Sequence, residues 1–421
     1  MIRGRHLKKR MVGVVALSSI VGSSSAFAAG FEKAIPWSGK YAGQGNAAVS
    51  SASGPEALFF NPANLAGSMG AEVSANFSPT FSKFSGPVAT ANTTVDGQQT
   101  FSPIFGALAS YALSDKLSVA VGSYVGAGSR AEYENAPLPS PFTMQLNPKT
   151  ELSSIEYAAG VGYQIAPGFK IGGALRYSQV QANLVSAVTS SVGPSVLATE
   201  LSLSNLKANQ FGGYRLGASY SASDWGVGLT YRSAIDFKAE GTASTRSESS
   251  GAIGTIINGG SFAASASSTL PAQVALGGHY QINPEWRVAT EYVWTNYKKV
   301  DRLDLAGGTL TDLQLNFKDQ SNIRFGASYV LNPEWTLRGG YVHTTQVTPA
   351  ELARPTLTAP GGAHSFTLGF TTTMVSKFEI SAAAEYSTVS GTGTGNSTAQ
   401  TKAGDYAASG YVLHTGVNYR F

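Results

Sequence analysis

The 421-residue sequence contains no cysteine. A disulfide framework, a thiolate metal site and a cysteine nucleophile are therefore excluded together. Charge is also scarce. Asp, Glu, Lys and Arg make up 13% of residues, against roughly 25% in soluble domains. The net charge of +4 is scattered along the chain, so no basic surface suggests nucleic acid as a partner. Long apolar runs are missing too. Residues 11–21 form an apolar run, but a spanning helix needs about 20 residues. There are 5 histidines, His6, His279, His343, His364 and His414. They form no Ser/His/Asp arrangement and show no metal-ligand spacing. Hence no catalysis, metal or cofactor is expected, and His343, alone near the outer end of its strand, reads as a loop contact.

What is present begins with an export signal. Arg3, Arg5, Lys8, Lys9 and Arg10 precede the short apolar run, and Ala26-Phe27-Ala28 reads as a small-x-small cleavage site. Residues 1–28 are expected to be a signal peptide. Residues 29–70 have no strand periodicity and are rich in Gly, Ala, Ser, Asn and Pro, with Asn61-Pro62-Ala63-Asn64 near their end. This stretch is expected either to be disordered or to fold as a plug inside a lumen.

From residue 71 to 421 the chain alternates with period two. The last stretch, 410–421, puts Tyr411, Leu413, Thr415, Val417, Tyr419 and Phe421 on one face and His414, Asn418 and Arg420 on the other. Fourteen such segments can be counted, an even number, as single-chain outer-membrane barrels require. Six connections are tight, at 113–116, 165–168, 221–224, 282–285, 331–334 and 374–377. They alternate with seven long ones. Short turns at one end and long loops at the other are the pattern of an antiparallel transmembrane β-barrel, with both termini on the periplasmic side.

The parity assigns the faces. Trp225, Leu229, Trp286, Tyr292, Phe325, Trp335, Leu337, Phe366 and Leu368 should face lipid. The opposite parity carries Arg176, Arg215, Arg232, Arg287, Glu291, Arg324, Arg338, Glu379, Glu385 and Arg420. A charge on the lipid face at the midplane costs about 2–4 kcal/mol, so these belong in the lumen, mostly as paired groups. Two long loops, 183–206 and 251–266, are apolar for water-side segments; residues 194–203 could be helical. Apolar loops suggest either a landing site for a hydrophobic ligand or packing on each other. Gly122, Gly126 and Gly128 on the third strand permit a bulge or kink there.

Several motifs recur in a familiar order. They are Ala29-Gly30-Phe31, Gly43-Gln-Gly-Asn-Ala-Ala-Val49, Asn61-Pro62-Ala63, Gly128 with Glu132-Tyr133, Leu229-Thr-Tyr-Arg-Ser233 and Leu270-Pro271. After these come Phe317-Lys318-Asp319 leading into Ile323-Arg324-Phe325-Gly326, and Trp335-Thr-Leu-Arg-Gly339. In this ordered set the sequence resembles the FadL family of outer-membrane long-chain fatty-acid transporters, which includes aromatic-hydrocarbon importers. The resemblance implies a 14-stranded barrel over 71–421 and an N-terminal plug, or hatch, over 29–70 carrying Asn61, Pro62 and Ala63. It also implies a lateral opening where the third strand kinks, at Gly126 and Gly128. Phe31 and Lys318 would touch the ligand, Lys318 at its head group. The family's fifth-strand arginine falls on Gln179, with Arg176 nearby. The implied partners are a long-chain fatty acid or hydrophobic small molecule, with outer-membrane lipid and lipopolysaccharide around a monomer. A neutral aromatic hydrocarbon cargo, or a general diffusion porin, is the alternative.

Overall fold

The computed structural model describes residues 37–68, 70–192, 194–308 and 310–421. The expected signal peptide and Phe31 lie outside these residues. Fourteen antiparallel strands form one closed barrel. They are β1 Ala71–Pro87, β2 Thr100–Ala112, β3 Leu117–Glu132, β4 Lys149–Ala166, β5 Phe169–Val192, β6 Ser195–Ser221 and β7 Trp225–Arg232. The rest are β8 Gln273–Gln281, β9 Trp286–Thr295, β10 Gln320–Asn332, β11 Trp335–Thr344, β12 Ala363–Thr372, β13 Phe378–Asn396 and β14 Thr401–Arg420. The first strand pairs with the last, from Glu72↔Arg420 to Ser85↔Ala407. Closure leaves neither the first nor the last strand with a free edge, as a sheet in lipid requires.

The faces follow the two-residue period. Trp225, Leu229, Trp286, Tyr292, Phe325, Leu337, Phe366 and Leu368 are exposed on the outer wall. Arg176, Arg215, Arg232, Glu291 and Arg324 are buried inside. Aromatic pairs gird the short-turn rim: Trp225 with Tyr220, Trp286 with Tyr329, Trp335 with Phe370 and Phe378 with Tyr419, their centroids 4.7–5.4 Å apart. Two of the tight turns are built alike. Asn283 accepts from the N–H groups of Glu285 and Trp286, and Asn332 from those of Glu334 and Trp335.

The segment 183–206 is not a loop with a helix. It is strand on both sides, the upper halves of β5 and β6, which reach 24 and 27 residues. A barrel strand needs only about 9–11 residues to cross, so this hairpin stands well clear of the membrane. Strands β7 and β8 instead break at one level, at 233–234 and 271–272, and continue above it as Ile235–Ser249 and Phe262–Leu270, which pair with each other. Of the apolar residues in 251–266, Ile253, Ile256 and Ile257 are exposed at the tip of that extension.

Candidate functional site

Residues 37–68 fill the lumen at the short-turn half. Trp37, Phe59 and Phe60 pack with Tyr124 and Ile104 of the wall, and the Trp37 ring lies 5.3 Å from Phe59 and 5.7 Å from Tyr124. Polar groups pin this plug. Glu291 accepts from the N–H groups of Ala48 and Val49, both at 2.8 Å, and from Arg324 at 2.6 Å. Arg324 also donates to the Asn46 carbonyl. Glu56 accepts from Ser38, Ser74 and Asn76; burial pushes its carboxyl up, and those hydrogen bonds hold it partly down.

Asn61, Pro62 and Ala63 sit at the centre of the plug. The Asn61 side chain accepts from Ala63 N–H, capping the short turn Pro62–Leu65, and donates to the carbonyls of Val49 and of Ala218 on the wall. The motif therefore fixes the plug's own loop and docks it on β6. Proline at the first position of the turn forfeits an N–H that would have no partner there.

Above the plug lies a buried charge cluster. Glu156 receives Arg176 at 2.9 Å and Arg232 at 2.5 Å on the same oxygen. Arg215 stacks over Phe59, 4.8 Å from its centroid. Arg176 also donates to Ser233 O and Arg232 to Pro271 O. These two carbonyls mark the level where β7 and β8 break, which gives the Arg232-Ser233 and Leu270-Pro271 motifs a shared structural role. Three arginines around one carboxylate leave a positive excess in a space shielded from water.

Beside Glu156 the wall is interrupted. The register of β3 against β4 slips between Val125 and Ala127, so Gly126 is the bulged residue. A β-carbon on Gly126 would lie 2.5 Å from Glu156 Cγ. Among the described residues, the pairing of β2 with β3 runs from Ala112↔Ser118 only as far as Gly106↔Tyr124. Beyond it β3 turns inward, and residues 125–129 are buried. Gly128 continues the ladder to β4, opposite Ser153.

The space above the charge cluster is apolar. A large cluster joins Ala127 of β3 to Leu152, Val180, Leu203, Phe237, Leu303 and Phe317. Within it Leu152, Leu184, Leu206, Phe237, Leu303 and Leu357 line an apolar pocket. Higher still, buried Glu248 ties the outer segments together. It accepts from the N–H groups of Thr143, Met144 and Gly254 and from the Thr143 hydroxyl. Burial opposes its charge, but these donors outweigh it and hold the carboxyl down at about 2.

The ligand residues expected from the sequence are not all brought together. Arg176 is already engaged by Glu156. Gln179 is on the outer wall, where it accepts from Tyr157, so it does not share a face with Arg176. Lys318 is exposed, two residues before β10, held by its N–H to Val347 O. Its neighbour Asp319 pairs with Lys298 instead. Sequence reasoning missed the pocket lining and the role of Glu156. Leu152 was legible only as inward parity, Phe237 shares the outward parity of Trp225 and Leu229 until the break at 233–234 turns it inward, and Glu156 was passed over among the other inward charges.

A plugged fourteen-stranded barrel with a bulged third strand is a specific combination. Residues 19–421 match the family model of outer membrane protein transport proteins (OMPP1/FadL/TodX). The chain belongs to this family. Solved structures agree in fold. A Pseudomonas aeruginosa FadL homologue shares 15% identity at TM-score 0.76, covering 93% of this chain and 99% of that one. The Pseudomonas putida toluene transporter TodX shares 17% at 0.75, with the same coverage. The Ralstonia pickettii toluene transporter TbuX shares 18% at 0.70, again covering 93% and 99%. Among curated proteins none matches this chain in sequence. As a FadL/TodX-family barrel, the protein is an outer-membrane transport protein.

Proposed function

We propose that this protein imports long-chain fatty acids or related hydrophobic compounds without altering them. The cargo is captured at the long-loop end, held in the apolar pocket, and released sideways where β3 bends away from β2. The carrying observation is that pocket and bend adjoin. Ala127, the first residue past the bulge, belongs to the same apolar cluster as Leu152, Leu184 and Phe237. Each methylene pushed into water forfeits about 0.8 kcal/mol. Over roughly fifteen methylenes that is on the order of 12 kcal/mol. A route that stays apolar therefore wins over one straight through the plug. In this reading the short turns and both termini face the periplasm, lipopolysaccharide surrounds the long-loop rim, and the chain works as a monomer.

A neutral aromatic cargo is the second reading. It is favoured by Arg176 being engaged by Glu156 and by Gln179 facing outward, which leaves Lys318 as the expected carboxylate partner. The names of TodX and TbuX point the same way. The experiment is uptake of labelled oleate and labelled toluene by a deletion strain, with and without the gene restored. Restoration of one identifies the cargo class, and restoration of neither overturns the proposal. Mass spectrometry of lipids extracted from the purified protein would then name the compound.

A further inference from the structure

The outer wall carries two ionisable residues where the rest of their rows is apolar, aromatic or glycine. The outward row of β11 runs Trp335, Leu337, Gly339, Tyr341, His343; that of β12 runs His364, Phe366, Leu368, Phe370. His343 and His364 are direct cross-strand partners at the long-loop end. Their ring centroids are 5.0 Å apart. An ionisable group that interrupts such a row is a candidate functional position. Here two stand side by side.

Tyr341 orients one of them. Its hydroxyl lies 2.7 Å from His364 Nδ1, and its ring stacks on the imidazole at 6.0 Å. In the tautomer with the proton on Nδ1, His364 donates to the Tyr341 oxygen and presents the Nε2 lone pair outward. This is how a supporting group fixes a metal-binding imidazole.

We propose that His343 and His364 form a site for a divalent transition-metal ion of the Zn²⁺, Ni²⁺ or Cu²⁺ class. Two imidazole nitrogens suit these ions, whereas Ca²⁺ and Mg²⁺ call for oxygen ligands. Metal–imidazole bonds of about 2.0–2.1 Å place the two nitrogens about 3 Å apart. Rotation of the His343 side chain toward the fixed His364 ring can reach that spacing, since directly opposed β-carbons lie about 4.5–5.5 Å apart. Among the described residues no group of three or more His, Asp or Glu side chains could hold a metal, so water completes the coordination. The site does not depend on the transport reading.

The test is Cu²⁺ titration of tag-free protein in detergent micelles, read by electron paramagnetic resonance and calorimetry. The expected result is a saturable site with two nitrogen ligands. His343→Ala and His364→Ala should each leave one nitrogen and weaken binding by more than ten-fold, a factor in the range seen for disturbed metal sites. Tyr341→Phe should keep both nitrogens and weaken binding about ten-fold. Migration of unheated samples as folded barrel checks that every variant assembles. No saturable site, or a nitrogen count unchanged in His343→Ala and His364→Ala, would overturn the proposal.

Discussion

Asn61 Oδ1 occupies the place that a side chain at Gly217 would need: a β-carbon on Gly217 would stand 2.0 Å from it. Gly172 meets the plug equally closely, with its β-carbon 2.3 Å from the Pro62 carbonyl carbon. These inward glycines let the plug backbone lie directly on the wall. Overpacking of a filled interior costs about 1–3 kcal/mol even for small additions. Gly217→Val is therefore expected to displace the plug while the barrel still closes. Single-channel recording in a planar bilayer should show conductance rising from closed to porin-like.

Glu291 gathers three donors that hold the plug. Glu291→Ala leaves Arg324 buried without its partner, a loss of about 3–5 kcal/mol. The amides of Ala48 and Val49 should exchange faster with deuterium, and the melting temperature should fall. Arg324→Met added to Glu291→Ala should recover part of the melting temperature but not the amide protection.

Gly126 has no room for a side chain beside Glu156. In Gly126→Ala either the bend in β3 or the ion-paired carboxylate must shift. Uptake into cells is expected to drop several-fold, while binding of the cargo to purified protein stays close to wild type. Equal loss of both would place Gly126 in binding and not in exit.

The carboxylate of Glu248 is held below its ordinary range, at about 2. A depressed folded-state value means that its contribution is fully present above the ordinary carboxylate value and is lost as pH falls through about 2. Protection of the Thr143, Met144 and Gly254 amides should therefore persist at pH 5 and fade on acidification below the ordinary carboxylate value. Glu248→Gln should loosen the same amides at neutral pH.

The expected head-group role of Lys318 gives a test between the two cargo classes. Lys318→Ala is expected to weaken binding of a fatty carboxylate about ten-fold, on the scale of one charge-assisted hydrogen bond, and to leave a neutral arene unaffected. Calorimetry with the two ligands on one preparation reads the difference. Equal weakening of both would remove its head-group role.

Much of the barrel was legible because two periodicities agree. Strand alternation gave the count and put Trp225 and Trp286 outside and Arg232 and Arg324 inside, and the strict alternation of short and long connections told the short-turn end from the long-loop end. The upper reaches of β5 and β6 were obscured because 183–206 is built of small and apolar residues with weak alternation. Arg176 and Gln179 are three apart on a strand, so a period of two separates them, although the family pattern draws them together. The pairing of His343 with His364 needs the register of β11 on β12, which an 18-residue connection, 345–362, hides from a linear reading.

The seam between β1 and β14 joins elements from opposite ends of the barrel-forming chain. The cylinder cannot be sealed until its last strand has arrived, and the Trp37–Ser68 segment is expected to be lodged within by then. Assembly is thus a wrapping of wall around stopper. A barrel refolded without that segment and later offered it as a separate peptide should remain empty.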